Sequence, residues 1–217
     1  MLKRLSFACA LAVLILAGSF QTALAQGPYA LADYLFMPPG GWKLMLEGDW
    51  LTRHEYAYYG ELVLDNQYEW DGGEWWYVYS PVWRITSLVV MYLGDVDEGG
   101  AWPVSPPHRY PASLPVGQLV SGVSQEVGQP VYEIWRTIIT QDGLTITTPA
   151  GVFSNCLKVR WANMSIDFSS GSYSIGIADM YHAADLGAVS GTAMIYDSHW
   201  GWLGPFNIEI QDYSLVP

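Results

Sequence analysis

The sequence predicts an all-β protein: one curved antiparallel sheet, half-barrel or sandwich-like, preceded by a cleavable signal-peptide helix. The first indication is composition, because 11 Trp and 15 Tyr belong to the residue types that are enriched in strands. The second is patterning. From Trp42 onward, short runs of alternating apolar and polar residues are separated by Gly, Pro, Asn and Asp, as in antiparallel sheets. The third is that no convincing amphipathic helix follows the N-terminal segment.

The first 25 residues have the three parts of a secretory signal. Lys3 and Arg4 form a basic start, Phe7–Ala17 is apolar, and Ala23-Leu24-Ala25 places small residues where a signal peptidase cuts. The apolar run is shorter than the roughly 20 residues that span a bilayer. We therefore expect cleavage before Gln26, a secreted or periplasmic product, and no membrane span after cleavage.

The charge of the mature chain excludes one class of partner. Cleavage would remove two basic residues and no acidic ones, which takes the formal net charge from −12 to −14. A chain of that charge repels nucleic acid, so we expect no nucleic-acid partner. Cleavage also removes Cys9 and leaves Cys156 alone, so the mature chain has no internal disulfide.

Residues 26–217 are predicted to form a single β-rich domain. Five prolines and several glycines fall within 94–128, which we interpret as a long loop or a hinge. Asp142-Gly143 is a predicted turn, and Pro81 marks a break or an edge. The predicted strands are Trp42–Trp50, Arg53–Tyr59, Glu61–Trp70, Glu74–Tyr79, Val82–Leu93, Val131–Thr140, Leu144–Thr148, Val152–Ile166, Tyr173–Tyr181, Ala193–Tyr196 and Phe206–Tyr213.

One motif carries a resemblance. Residues 148–156 read Thr-Pro-Ala-Gly-Val-Phe-Ser-Asn-Cys. This resembles a T-P-A-G-x-F-x-N-C motif of an uncharacterised bacterial group of secreted or lipoprotein-like β-domains. Segments 33–42 and 181–189 occupy the places of two further stretches of that group. The group is similar in general design to the periplasmic half-barrels that carry lipoproteins, which implies a sheet that cups a ligand. No catalytic residues carry over from it.

The motif also has a structural interpretation. Pro149 presets one turn dihedral, and Gly151 can adopt a positive φ. Phe153 then re-enters the sheet pointing inward. Cys156 lies mid-strand among apolar residues, where a thiol acts as a small apolar side chain. We expect a structural role for all four residues.

Motifs of catalysis and metal binding are absent from the sequence. There is no Gly-x-Ser-x-Gly elbow, and the four histidines lack the spacing of zinc ligands. We expect no cofactor. Calcium is the one metal left open, because Asp95, Asp97 and Glu98 place hard oxygen ligands on one predicted loop. A solvated acidic turn is the simpler interpretation.

A Trp-rich hairpin is the remaining candidate for a binding site. Alternation predicts Trp75, Tyr77 and Tyr79 on one face and Trp76 on the other. One face packs on the core, and an exposed second face would be a platform for sugars, apolar ligands or proteins. The candidate ligand-binding residues are Trp70, Trp75, Trp76, Tyr77 and Trp83.

These patterns favour a non-catalytic extracytoplasmic protein with a binding, assembly or scaffold role. Its partner would be a protein, a glycan or an apolar small molecule, and self-assembly through sheet edges is a further alternative. A carbohydrate-binding module that uses the hairpin 70–83 is the second hypothesis. A hydrolase without a recognisable motif is the third.

Overall fold

The computed structural model describes residues 28–215, so the predicted signal segment 1–25 lies outside the described residues. Within that range nearly every element is a strand. The elements are β1 (Tyr29–Ala30), α1 (Leu31–Leu35), β2 (Trp42–Glu47), β3 (Trp50–Tyr59), β4 (Leu62–Trp70), β5 (Trp75–Ile85), β6 (Val89–Asp97), β7 (Gly100–Pro111), β8 (Ser113–Leu114), β9 (Leu119–Glu126), β10 (Val131–Thr148), β11 (Gly151–Asp167), β12 (Tyr173–Ala183), β13 (Gly187–Asp197) and β14 (Gly201–Ser214).

Twelve of these strands pair antiparallel into one closed barrel. Chain neighbours are also barrel neighbours, β14 pairs with β2, and β9 closes the ring between β7 and β10. The all-β antiparallel prediction is confirmed. The curvature that suggested a half-barrel continues until the two edges of the sheet meet, which leaves no free edge in the ring.

The prediction of a long loop over 94–128 is wrong. β6 continues to Asp97, and β7 and β9 occupy most of the remaining residues. The prolines mark a poorly bonded seam instead, because proline has no N–H to donate to a ladder. Accordingly, β7 pairs with β9 only through Val104 and Ser105 in the described register.

The predicted turn at Asp142-Gly143 is also absent. These residues lie inside β10, where the register with β11 shifts between Ile139 and Ile146. Gly143 adopts a φ of 63°. The glycine therefore permits an irregularity within a continuous strand, and not the turn that the sequence predicted. Pro81, expected as a break, lies within β5 opposite Asp95.

The N-terminal segment closes one end of the barrel. Residues 29–37, here called the plug, begin with β1 pairing to β8. Phe36 and Met37 are buried, and the Met37 carbonyl accepts a hydrogen bond from the Tyr58 hydroxyl at 2.6 Å. Gly187, at φ 70°, lets β13 approach the plug, because a Cβ there would lie 2.7 Å from the Leu35 carbonyl oxygen.

The opposite end, here called the mouth, has no such cover among the described residues. Six hairpin turns surround it, at 48–49, 71–74, 98–99, 127–130, 168–172 and 198–200. Near it, the side chains of Tyr79, Ile195 and Leu203 are exposed by 36 %, 41 % and 40 % although strand register directs them inward. The barrel is therefore closed at one end and open at the other.

The main core fills the plugged half of the barrel, where Phe36, Trp83 and Tyr110 make aromatic contacts. A second, smaller cluster around Met164 and Ile175 lies on the outward face of β11 and β12. The apolar packing is thus concentrated at one end, and the inward face nearer the mouth carries polar side chains instead.

Two glycines of the β6–β7 hairpin give a matched test of the backbone. A Cβ on Gly94, at φ 126°, would lie 2.2 Å from the Trp102 carbonyl oxygen, whereas one on Gly100, at φ 141°, would meet no atom within 4 Å. Both alanine variants suffer φ strain, but only Gly94→Ala must displace β7. We expect Gly94→Ala to lose about 2 kcal/mol more than Gly100→Ala in the free energy of unfolding, measured by denaturant titration. Equal losses would contradict the close approach at this bulge.

Candidate functional site

The inward face of the barrel is unusually polar. Strand register directs at least nine Lys, His, Asp and Glu side chains to the interior of the closed sheet, and most are at least partly buried. They include Lys43, Glu47, His54, Asp65, Glu69, Asp95, His108, Glu133 and His182.

Seven of these side chains border two interior cavities of about 240 Å³ each, and Glu69 and Asp95 do not. The Lys43 cavity is lined by Lys43, His182 and the aromatic ring of Trp83. The His108 cavity is lined by His108 and by a wall of small residues on β12 and β13. Trp161 borders both cavities. The small residues of the wall are Gly176, Ala178 and Ala193.

Lys43 lies at the centre of a buried charge network. Its ammonium donates to the carbonyl oxygens of Leu186 and Ala188 at 3.2 and 3.1 Å. Burial lowers the pKa of Lys43 to about 8, although the nearby charges of Asp65 and Glu47 oppose this shift. The ammonium is therefore hydrogen-bonded by two backbone carbonyls, and the charges of two nearby carboxylates favour it, as a buried charge requires.

His54 connects the carboxylates of this network. Its Nδ1 lies 3.0 Å from Asp65 Oδ1, and its Nε2 lies 3.6 Å from Glu47 Oε1. Burial disfavours the imidazolium, but the charge and hydrogen bond of Asp65 outweigh burial, so the pKa of His54 is raised. The imidazolium in turn holds the pKa of Asp65 and Glu47 below their ordinary values despite burial.

The tautomer of His182 follows from its hydrogen bond. Its Nδ1 lies 2.9 Å from the carbonyl oxygen of Tyr34, which can only accept, so Nδ1 carries the proton. Burial lowers the pKa of His182 to about 4, which keeps the ring neutral. His182 lines the Lys43 cavity, and its Nε2 is then a lone-pair acceptor that has no hydrogen-bond partner in the described part of the chain.

Thr52, His54 and Asp65 form a chain that resembles a catalytic triad in outline. The Thr52 hydroxyl lies 3.4 Å from His54 Nε2. The same hydroxyl also lies 3.2 Å from Glu47 Oε1, so it serves as a donor to a carboxylate. Thr52 sits in the middle of β3, whose neighbouring N–H groups belong to the ladders with β2 and β4, so the strand offers no free oxyanion donors.

The His108 cavity has its own contact between a histidine and a carboxylate. His108 Nε2 lies 3.1 Å from Glu133 Oε2, and its ring stacks on Trp135 at 4.7 Å between centroids. Asn163 donates to the other carboxylate oxygen of Glu133 at 2.9 Å. These two hydrogen bonds hold the pKa of Glu133 below its ordinary value against the opposing effect of burial.

The predicted Trp-rich hairpin is divided between different environments. Trp83 packs on the core against Phe36 and lines the Lys43 cavity, whereas Trp70 and Trp76 are exposed by 38 % and 54 %. The rings of Trp70 and Trp75 are tilted by 53°, so they do not form a flat platform.

The alternation predicted within this hairpin also differs from the structure. A register shift between the pairs Gln67–Tyr79 and Tyr68–Tyr77 puts Tyr79 on the opposite face from Tyr77, not the same one. A bulge of this kind leaves no mark in a period-two pattern. Carbohydrate binding by this hairpin stays a prediction.

Three neighbouring hairpins place Trp at the mouth, each opposite a carboxylate. Register sets Trp50 opposite Glu47, Trp76 opposite Glu69 and Trp102 opposite Asp95, all on the inward face. Trp50 and Trp102 are exposed by 62 % and 38 %. Sequence reasoning concentrated on 70–83 and missed Trp50 and Trp102.

A recurring Asp-x-x-x-x-Trp spacing in the sequence marks two of the three tryptophans at the mouth. Asp71 precedes Trp76, and Asp97 precedes Trp102, by five positions. In both hairpins the indole N–H donates to the aspartate, at 2.8 and 2.9 Å. The same spacing recurs from Asp197 to Trp202, on the β13–β14 hairpin.

The residues considered for calcium serve other contacts. Asp97 accepts from the N–H groups of Gly99 and Gly100 and from Trp102, so it caps its own hairpin. Asp95 faces inward and hydrogen-bonds Tyr92. Within residues 28–215, no three His, Cys, Asp or Glu side chains lie together as metal ligands.

The Pro149–Cys156 motif forms the β10–β11 turn at the plugged end. Phe153 is buried, as expected from its predicted inward direction, and Gly151 has a φ of 141°. The Cys156 thiol is fully buried and donates to the Phe153 carbonyl. Burial raises the pKa of this thiol, which keeps it unreactive.

Comparison with known proteins adds little. No protein-family model and no curated protein matches the sequence. Two crystal structures are similar: a presumed lipoprotein from Parabacteroides distasonis and a presumed exported protein with a YmcC-like fold from Bacteroides fragilis. They are 11 % and 12 % identical, cover 84 % of this chain and 99 % of their own, and each has a TM-score of 0.48. At that TM-score the likeness carries no argument about function.

No helix in the described range is long and apolar enough to cross a membrane.

His182 predicts a specific pH dependence of stability. Its pKa of about 4 in the folded protein lies below the value near 6.5 of an exposed histidine. Between these pH values the unfolded chain binds a proton that the folded protein excludes, so acidification from pH 7 to 4.5 costs stability. His182→Gln keeps a donor for the Tyr34 carbonyl and removes this effect. The wild type should lose about 2 kcal/mol more than the variant over this range in denaturant titrations. Parallel losses would contradict a buried neutral His182.

Proposed function

We propose that this protein is a non-catalytic extracytoplasmic binding protein that holds a small molecule inside its barrel, in the Lys43 cavity. The observation that carries the proposal is the neutral His182 ring, which lines this cavity and whose Nε2 acceptor has no hydrogen-bond partner among the described residues. An unpaired buried acceptor is costly unless a donor satisfies it. A ligand that brings an O–H or N–H group would do so.

The walls of the cavity define the size and character of such a ligand. Phe36, Trp83 and Trp161 provide aromatic surface around the polar groups. A few convergent polar groups in an apolar surround are typical of small-molecule sites. A volume of about 240 Å³ lies below the roughly 300–1,000 Å³ of drug-sized pockets, which favours a ligand of one ring or a short chain.

The non-catalytic part of the proposal rests on the hydrogen bonding of Thr52. Its hydroxyl is engaged by the Glu47 carboxylate, and its strand offers no free N–H pair to an oxyanion. The extracytoplasmic part rests on the signal pattern of residues 1–25.

A cavity-filling variant tests the proposal. Phenol is a suitable probe because it pairs one aromatic ring with one O–H donor. Isothermal titration calorimetry should detect phenol binding to the wild type. Ala188→Leu, which adds volume inside the Lys43 cavity, should weaken binding by at least about tenfold. Ala57→Leu, on β3 with its side chain directed outward, is the matched control and should leave binding unchanged. Absence of phenol binding, or equal binding by all three proteins, would refute the proposal.

A further inference from the structure

The interior and the mouth are strongly biased toward negative charge. Five of the inward carboxylates lie with two inward cations, Lys43 and the His54 imidazolium, and Lys43 lies deep in the barrel. The three hairpin segments at the mouth that carry inward Trp residues, 47–50, 69–76 and 95–102, contain no Lys or Arg. A molecule that enters through the mouth therefore meets acidic groups first. These five carboxylates are Glu47, Asp65, Glu69, Asp95 and Glu133.

Aromatic faces accompany these charges at the mouth. Trp50, Trp76 and Trp102 lie on the inward face of three hairpins that are neighbours around the ring. Each lies opposite a carboxylate, and each is more than a third exposed. A cation over an indole face is attracted by the ring quadrupole, most strongly for Trp, and an adjacent carboxylate adds to that attraction.

The hydrogen bonds of the hairpins distinguish a cation from a sugar. Asp71 accepts from the N–H groups of Gly73 and Glu74 and from the Trp76 indole. Asp97 is occupied in the same way by its own hairpin. Both aspartates therefore have little acceptor capacity left for sugar hydroxyls, and both indole N–H groups are already used. What remains is π surface with negative charge beside it.

An independent observation points to a ligand in the same space. Ser124 is 2 % exposed, and its hydroxyl has no hydrogen-bond partner among the described residues. Register sets it on the inward face opposite Glu133. It is a further unpaired polar group on the inward face, besides His182 Nε2, that a ligand could satisfy.

We propose that the mouth is a binding site for a small organic cation of the ammonium class, held by Trp50, Trp76 and Trp102 and their opposing carboxylates. This inference deepens the proposed function and rests on it: in the proposal, the ligand of the Lys43 cavity enters through the mouth. The cation is selected at the mouth by its charge, and the part of the ligand that carries a donor reaches the polar interior.

Choline and its neutral isostere 3,3-dimethylbutanol test whether the site recognises the positive charge of the ligand, since the two molecules share their shape and their hydroxyl group. Titrations at low ionic strength, followed by calorimetry and tryptophan fluorescence, should show binding of choline and at least about tenfold weaker binding of the isostere. Trp76→Leu and Trp102→Leu should each weaken choline binding by about threefold. Glu69→Gln should weaken it too.

Matched controls separate the site from the general charge of the protein. Trp200→Leu removes a tryptophan that is 80 % exposed but lies in a turn, and Glu61→Gln removes a charge at the plugged end. Neither should change choline binding. Equal binding of choline and the isostere, equal effects of the control variants, or binding of a lysine-rich peptide or a neutral oligosaccharide without choline would overturn the inference.

The two proposals can fail separately. Ala188→Leu fills the Lys43 cavity and leaves the mouth intact, so choline binding at the mouth should persist in it. Phenol binding without choline binding would overturn the inference and leave the proposed function standing. Choline binding without phenol binding would refute the proposed function and leave the cation site at the mouth standing.

Discussion

Closing twelve strands into one ring sets the constraint on which the rest of this structure depends. Eight strands enclose about as much space as inward side chains can fill, and twelve enclose more. The interior volume that inward side chains do not fill is accounted for in three ways. The plug packs Phe36 and Met37 into one end, a hydrogen-bonded set of charged side chains occupies the middle, and two cavities remain beside Trp161. The cavities follow from closure of the ring.

Polar groups inside the ring must be paired, and this determines where space is left. Lys43 is held by carbonyls of the β12–β13 turn, which also contacts the plug through the hydrogen bond from the Asp185 N–H to Asp33. The buried charges thus bind the plug, the turn and β2 together. Pairing is incomplete at His182 Nε2 and at Ser124, which both lie on the inward face. A ligand that hydrogen-bonds to either group would be stabilised in the interior.

The fold class could be predicted from the sequence because period-two alternation and turn residues are local signals. Closure could not, since it depends on the pairing of β14 with β2, which lie near opposite ends of the described chain. The prolines of 94–128 indicated a loop because their missing N–H groups look the same in a loop and at a weakly bonded seam. The polar site was missed because Lys43, His54 and Asp65 lie on three successive strands with no motif spacing, and only the closed ring brings His182 of β12 beside them. Two of the Trp residues at the mouth, Trp76 and Trp102, could have been found from the sequence, because the Asp-x-x-x-x-Trp spacing lies within single hairpins.

The central claim is that the barrel has a hollow interior that is reached through the mouth. Trp161 reports on it most directly, because it borders both cavities. Fluorine-19 NMR of the protein labelled with 5-fluorotryptophan, with the Trp161 resonance assigned from Trp161→Phe, would follow this ring during addition of phenol. The account predicts that the Trp161 resonance shifts and saturates, while that of the exposed Trp200 stays in place. A Trp161 resonance that does not move, or one that moves only in step with Trp200, would contradict a hollow, accessible interior.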